Sequence, residues 1–196
     1  MASIHPTEIP GRWREGFALD FHTLSSTFVG DDEYGHPIFE TTRTELGELL
    51  LRLKYRSDVS VVGELADVAA AFVRTWNPGV ELIVPVPPSR ARAQQPVLML
   101  AQALALELGI SVDPGCVTRI REVPELKNVY EYDQRVRLLQ GAHVVKQSVV
   151  GGRKVLLLDD LFRSGATMNA ITGALYDQGH AAEVYALTIT RTRSKA

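Results

Sequence analysis

Residues 155 to 170 read VLLLDDLFRSGATMNA, four aliphatic residues in a row followed by two adjacent acids. A run that is apolar at every position has no polar face. As a strand it must be covered on both sides, which is the situation of a central strand in a parallel sheet. The run delivers Asp159 and Asp160 to its end, where two carboxylates repel each other unless something binds them. Small residues follow at Ser164, Gly165, Ala166 and Thr167, and then Met168, Ile171 and Leu175 resume at helical spacing up to Gly179.

A helix that starts on small residues leaves backbone N–H groups facing outward, a ready cradle for phosphate. Gly165 permits positive φ or close backbone approach, and the hydroxyls of Ser164 and Thr167 can donate to phosphate oxygens. The paired carboxylates can accept hydrogen bonds from two vicinal ribose hydroxyls, and a divalent cation nearby would reduce their repulsion. The plainer alternative is a buried strand followed by a helix capped by Asp160 or Ser164. A strand ending in two acids is common by itself; the small-residue loop at this offset sharpens the signal.

Upstream, ELIVPV reads as a short buried strand, and PPSRARAQQ as a loop that is rigid at its start and basic in its middle. Val97, Leu100, Ala101, Leu104 and Leu108 keep helical spacing to a stop at Gly109. SVDPGCVTRI reads as one strand, residues 121 to 136 are charged without clear periodicity, GAHVV is a short strand and AAEVYALTIT a closing one. Nearer the start, residues 1 to 14 read as a loose arm broken by Pro6 and Pro10. GFALDFHTLSSTFV alternates as a strand, GDDEYGHP is turn material and IFETTRT returns as a second strand. Thr42 and Glu45 have capping-box spacing before a helix carrying Leu46, Leu49, Leu50 and Leu53, and a second helix covers Val59 to Trp76. Strands alternating with helices give the expected fold class: α/β, a central parallel sheet flanked by helices. Residues 1–43 form an amino-terminal arm and hairpin, a hood-like lobe, and residues 44–196 the α/β core. Ligands of such sheets bind beyond the carboxyl ends of the strands, where the loops after Val86 and Leu158 both lie.

Composition narrows the function classes. The net charge of −2 argues against broad nucleic-acid binding. The single cysteine, Cys116, rules out an internal disulfide and a multi-cysteine zinc site, and it reads as a small buried hydrophobe in a reducing compartment. No apolar run approaches the ~20 residues needed to span a bilayer. MASIHPTEIPGRWREG lacks the apolar stretch of a signal peptide, so the expected location is the cytoplasm.

VLLLDDLFRSGAT resembles the ribose-phosphate signature of the type I phosphoribosyltransferases. The resemblance implies that Asp159 and Asp160 hold the ribose hydroxyls of phosphoribosyl pyrophosphate or a nucleoside 5′-monophosphate. It also implies that Arg163, Ser164, Gly165, Ala166 and Thr167 wrap the 5′-phosphate. The family loop usually begins with threonine where this chain has Arg163. A pyrophosphate loop is implied after the ELIVPV strand, giving Ser89, Arg90 and Arg92 to the pyrophosphate, with Ser89–Arg90 the candidate for a strained peptide bond. Mg2+ is the implied cofactor, reached by Asp159 or Asp160 directly or through water.

LLLRLKYRSD, LIVPVPPSRAR and LDDLFRSGAT occur in the order and approximate spacing of the ComF-like branch, and TRIREVPELKNVYEYDQRVRLLQGAHVV resembles its middle region. The departures are an absent amino-terminal zinc ribbon, QQPVLML in place of an arginine-glycine-phenylalanine-asparagine stretch, Lys127 for glutamine and His143 for phenylalanine. The resemblance offers Lys127 as a further pyrophosphate contact. A solvated charged segment explains Arg119, Arg121, Lys127, Arg135 and Arg137 equally well, balanced as they are by Glu122, Glu125, Glu131 and Asp133. Tyr130 and Tyr132 would be stacking groups in a nucleic-acid reading, which the interleaved acids count against.

The implied reaction is displacement of pyrophosphate from the anomeric carbon by a nitrogen nucleophile, with no side chain announcing itself as the base. The rival is a non-catalytic phosphoribosyl-binding regulator or a competence-type DNA-uptake accessory. A homodimer follows from family habit. Asp20 and His22, on one face of the first long strand, read as surface or lobe-packing residues rather than as acceptor contacts.

Overall fold

The computed structural model describes residues 2–88, 94–121 and 132–193. In chain order the elements are β1 (Thr7–Glu8), β2 (Glu15–Phe21), β3 (Thr23–Asp31), β4 (Pro37–Arg43), α1 (Glu45–Tyr55), α2 (Val62–Trp76) and β5 (Leu82–Pro85). They continue as α3 (Pro96–Leu108), β6 (Ser111–Val112), β7 (Val117–Arg119), α4 (Tyr132–Leu139), β8 (His143–Val145), α5 (Gln147–Val150), β9 (Lys154–Phe162), α6 (Ala166–Asp177) and β10 (Glu183–Arg191).

The main sheet runs β1-β2-β10-β9-β5-β6, all neighbours parallel except the β1–β2 edge pair. The apolar run lies at its centre, hydrogen-bonded to β10 on one side and β5 on the other. Successive residues of a strand face opposite ways. Leu156 and Leu158 therefore enter the core shared with α1, α2 and α3, while Val155 and Leu157 enter the core that holds Met168, Ile171 and Leu175 of α6. All four are fully buried, which is why no polar residue interrupts the run. Each large aliphatic so buried contributes about 1.5–3 kcal/mol before chain entropy is subtracted.

Helix α1 buries Leu46, Leu49, Leu50 and Leu53, the stripe expected from their spacing. Its cap is Thr44, not Thr42. Thr42 is held in β4 opposite Ser25, whereas Thr44 Oγ1 accepts from the Gly47 N–H at 3.0 Å and donates to the Phe21 carbonyl at 2.6 Å. A β-carbon at Gly47 would run into the His22 carbonyl oxygen, so only glycine lets α1 lie this close to the end of β2. Thr44→Ala is expected to cost about 1–2 kcal/mol in a urea melt, the upper part of the range for a cap, because the hydroxyl is buried and bonded twice.

The amino-terminal region departs from the expected layout. The strand anticipated from 16 to 29 is divided at His22. Its first half, β2, joins the main sheet beside β10, and its second half, β3, pairs with β4 in a separate hairpin. The reason lies in the alternation: Ala18 and Leu19 are both buried, as two-sided covering requires, whereas β3 is exposed along most of its length. The loose arm is a sheet edge, with β1 on β2 and with Ile9 and Trp13 buried. SVDPGCVTRI makes two strands, β6 in the main sheet and β7 paired with β8, separated by a turn at Asp113 whose carboxylate accepts from the Gly115 N–H. The charged stretch ends in helix α4, and α3 stops at Gly109 as expected, with the glycine in the left-handed region. Among the described residues, no helix is long and apolar enough to cross a membrane.

Candidate functional site

The carboxyl end of β9 puts the two acids on opposite faces. Asp160 continues the Leu156–Leu158 row and faces α1, where Lys54 Nζ stands 2.8 Å from its Oδ2. Asp159 continues the Val155–Leu157 row, on the α6 side, beside Thr188 in the β10 register. Its Oδ1 accepts the Asp160 backbone N–H at 2.9 Å. Among the described residues only Asp160 has a cation in contact, and the two acids differ accordingly. Burial first, and then the charge of Asp160, push the Asp159 carboxyl from its ordinary 3.8 up to about 8, against smaller opposing pulls from the Asp160 N–H and Lys54. Asp159 therefore holds its proton more tightly than a free acid, so the site can present a donor as well as acceptors. A vicinal diol offers the complementary groups.

The loop beyond β9 is short. Gly165 adopts φ +73° and ψ 0°, the left-handed region, and a β-carbon there would lie 2.7 Å from the Phe162 ring. The first intrahelical bond of α6 runs from the Asn169 N–H to the Gly165 carbonyl at 2.8 Å. The amides of Ala166, Thr167 and Met168 precede it, and a helix leaves such groups without intrahelical acceptors. The helix has no side-chain cap of ordinary length; Ser164 Oγ reaches the Ala166 N–H only at 3.5 Å. Ala166 is buried, Ser164 and Thr167 are half-buried, and Arg163 is exposed. These five expected phosphate residues therefore form one loop and helix start directly beyond the acid pair.

The adjoining strand β5 brings its own loop to the same edge: the Val86 N–H donates to the Leu158 carbonyl at 2.9 Å. The expected pyrophosphate residues Ser89, Arg90 and Arg92 come next in that loop and lie outside the described residues, as does Lys127. Among the described residues no group of three metal-ligating side chains gathers. Cys116 is fully buried and its thiol is pushed up to about 12, first by burial, which leaves it no nucleophilic thiolate at neutral pH.

Two residues at this edge were not marked as site residues by their sequence context. Lys54 sits in LLLRLKYRSD, where a lysine in a last helical turn reads as a solvated complement to the helix dipole. His22 lies past the end of β2, so strand alternation does not set it beside Asp20. Its ring turns back instead, with Nδ1 3.1 Å from Thr190 Oγ1, while Asp20 is buried against His5 at 3.4 Å. The His22 imidazole is held below its usual pKa by burial, then by the charges of Arg43 and Lys54, with Asp160 pulling the other way. That balance favours the uncharged ring, and it places the imidazole within the field of Asp160.

No family model matches the chain. Competence protein ComFC of Bacillus subtilis (strain 168) is 27% identical over 146 residues, 74% of this chain and 59% of that protein, so the likeness spans less than two thirds of the relative. Among solved structures, adenine phosphoribosyl transferase from Trypanosoma brucei, in complex with AMP, pyrophosphate and ribose-5-phosphate, aligns with a TM-score of 0.50 and 13% identity, over 94% of this chain and 73% of that one. The likeness is one of fold. Adenine phosphoribosyltransferase from Leishmania tarentolae aligns at a TM-score of 0.46 and 13% identity, over 95% of this chain and 79% of that one.

Proposed function

We propose that this divergent ComF homologue, built on the type I phosphoribosyltransferase fold, binds phosphoribosyl pyrophosphate or a nucleoside 5′-monophosphate and transfers the phosphoribosyl group to a nitrogen acceptor, releasing pyrophosphate. One observation carries the reading: the acid pair and the open amide turn of α6 are joined by a loop too short to separate them. A ribose held by Asp159 and Asp160 has its 5′-phosphate within reach of Gly165 to Met168. Neither feature alone would point to a sugar phosphate; their spacing supports that reading.

The chemistry asked of the protein is positioning and charge stabilisation rather than covalent catalysis. The transition state at the anomeric carbon is oxocarbenium-like, and adjacent carboxylates favour that positive charge. The α6 amides hold the phosphate end fixed while the leaving group departs. The donor set is compatible with magnesium, since carboxylate oxygens suit a hard cation and Lys54 engages only Oδ2 of Asp160. Asp159 or Asp160 would hold the ion, directly or through water, with ligand oxygens completing its shell. Bound there, the ion would neutralise the pyrophosphate. The cytoplasm, where phosphoribosyl pyrophosphate is made and used, is the fitting compartment.

A second reading has support of its own. The curated relative is a competence protein, and Arg163 replaces the usual threonine at the head of the phosphate loop. A regulator or DNA-uptake accessory would keep the sugar-phosphate cradle without an acceptor site. Calorimetry with phosphoribosyl pyrophosphate and magnesium, followed by a pyrophosphate-release assay with pooled nucleobases, separates the two. Binding with release is the expected result for the transferase. Binding without release favours the regulator, DNA retention at physiological salt favours the accessory role, and no binding defeats both phosphoribosyl readings.

A further inference from the structure

The last turn of α1 carries two cations with different destinations. Arg52 turns away from the sheet edge to Asp58, its Nε and Nη2 at 3.0 and 2.6 Å from Oδ2. Lys54 turns to the acid pair, its Nζ 2.8 Å from Oδ2 of Asp160. The two side chains are only 21% and 12% exposed, so this is not a solvated surface pair. Withdrawing a lysine ammonium from water and fixing its flexible stem are both costly. The helix is nevertheless aimed there: Leu50 and Leu53 are buried beneath it, Thr44 ties its start to the Phe21 carbonyl, and Gly47 seats it on the His22 carbonyl.

We propose that Lys54 is a positioning residue of the sugar site, the built-in counter-ion of the acid pair, and that it lets the ribose 5-phosphate half of the ligand bind without a divalent metal. Lys54 has this role only if the site takes a phosphoribosyl group, as proposed above. With Oδ2 engaged by the ammonium, Asp160 is held in one orientation, and Oδ1, which has no partner among the described residues, is left to accept from a ribose hydroxyl. The charge that a cation would bring to the ribose end is already supplied by the chain. Magnesium is then needed for the pyrophosphate alone.

Ribose 5-phosphate, which has no pyrophosphate, is the probe. Titrated by calorimetry into the full chain, it is expected to bind with the same affinity in EDTA as in magnesium. Lys54→Met is expected to lose about tenfold or more in EDTA, the scale of a charge-assisted contact. Magnesium should restore most of that loss, because the ion replaces the missing charge, and Lys54→Arg should stay near wild type. A merely structural lysine would give a loss that neither magnesium nor arginine repairs, and that result overturns the role. So does a wild-type protein that binds ribose 5-phosphate only with magnesium while still binding phosphoribosyl pyrophosphate; in that case the phosphoribosyl reading survives. A wild type that binds neither probe in either buffer removes both.

Discussion

Asp159→Asn is expected to make the ligand-free protein more stable and to weaken its binding of magnesium phosphoribosyl pyrophosphate by about 10- to 100-fold, the scale of a lost charged hydrogen bond. The two effects have one cause. Folding carries the Asp159 carboxyl into a half-buried place beside another acid, with no cation in contact among the described residues, and its pKa rises from 3.8 to about 8. In the unfolded chain the same group releases its proton near 3.8. The folded state therefore binds the extra proton between those two values, and stability falls as pH rises across that window. The contribution is fully present below pH 3.8, declines towards pH 8 and is flat above it. Asparagine has no proton to lose, so the advantage of the variant should be smallest below pH 4 and should widen by about 1 kcal/mol or more between pH 5 and pH 8. Urea melts of both proteins at several pH values test this. A gap that does not widen with pH would show that Asp159 is not the repelled partner. Asp160→Asn should behave differently, because it strands the half-buried Lys54 ammonium without its carboxylate, and losing one side of such a pair is destabilising.

That contrast also marks where the sequence stops being readable. The run Val155–Leu158 declares its own environment, since only two-sided burial tolerates four aliphatics in succession, and β9, α6 and β10 lie where periodicity puts them. The acid pair and the Ser164–Thr167 loop are legible for the same reason: they are contiguous, and their spacing is the signal. Lys54 is not, because its meaning depends on a helix about a hundred residues upstream docking against one face of β9. Nothing in LKYRSD separates a lysine aimed at an acid from one aimed at water. The fate of β2 was hidden by a different ambiguity. A strand that alternates as β2 and β3 do can continue into a hairpin or enter a sheet, and only the pairing Leu187↔Phe17 in β10 decides it. Thr44 displaced Thr42 as the cap because both threonines precede Leu46, and the β4 ladder claims one of them.

In the proposed site the backbone turn and the phosphate cradle meet at Gly165, and Gly165→Ala is expected to cost about 2–4 kcal/mol of stability and to abolish measurable sugar-phosphate binding. Two independent penalties combine. The residue sits at φ +73°, which a side chain adopts only with strain, and the added methyl would stand 2.7 and 2.9 Å from two carbons of the Phe162 ring. That ring cannot easily withdraw: it is 5% exposed, meets Trp13 edge-on at 6.3 Å and lies under the Arg191 guanidinium. The loop must shift instead, taking with it the Ala166, Thr167 and Met168 amides that follow Gly165 directly. Ser164→Ala is the control on the same loop. Among the described residues its hydroxyl makes the 3.5 Å contact to the Ala166 N–H and no other, so stability should stay within about 0.5 kcal/mol while phosphate affinity falls by roughly tenfold or less. Melting curves and calorimetry on the two variants therefore separate the geometry of the turn from the hydroxyl it carries. If Gly165→Ala proves as stable and as tightly binding as Ser164→Ala, the amides beyond β9 are not the phosphate cradle.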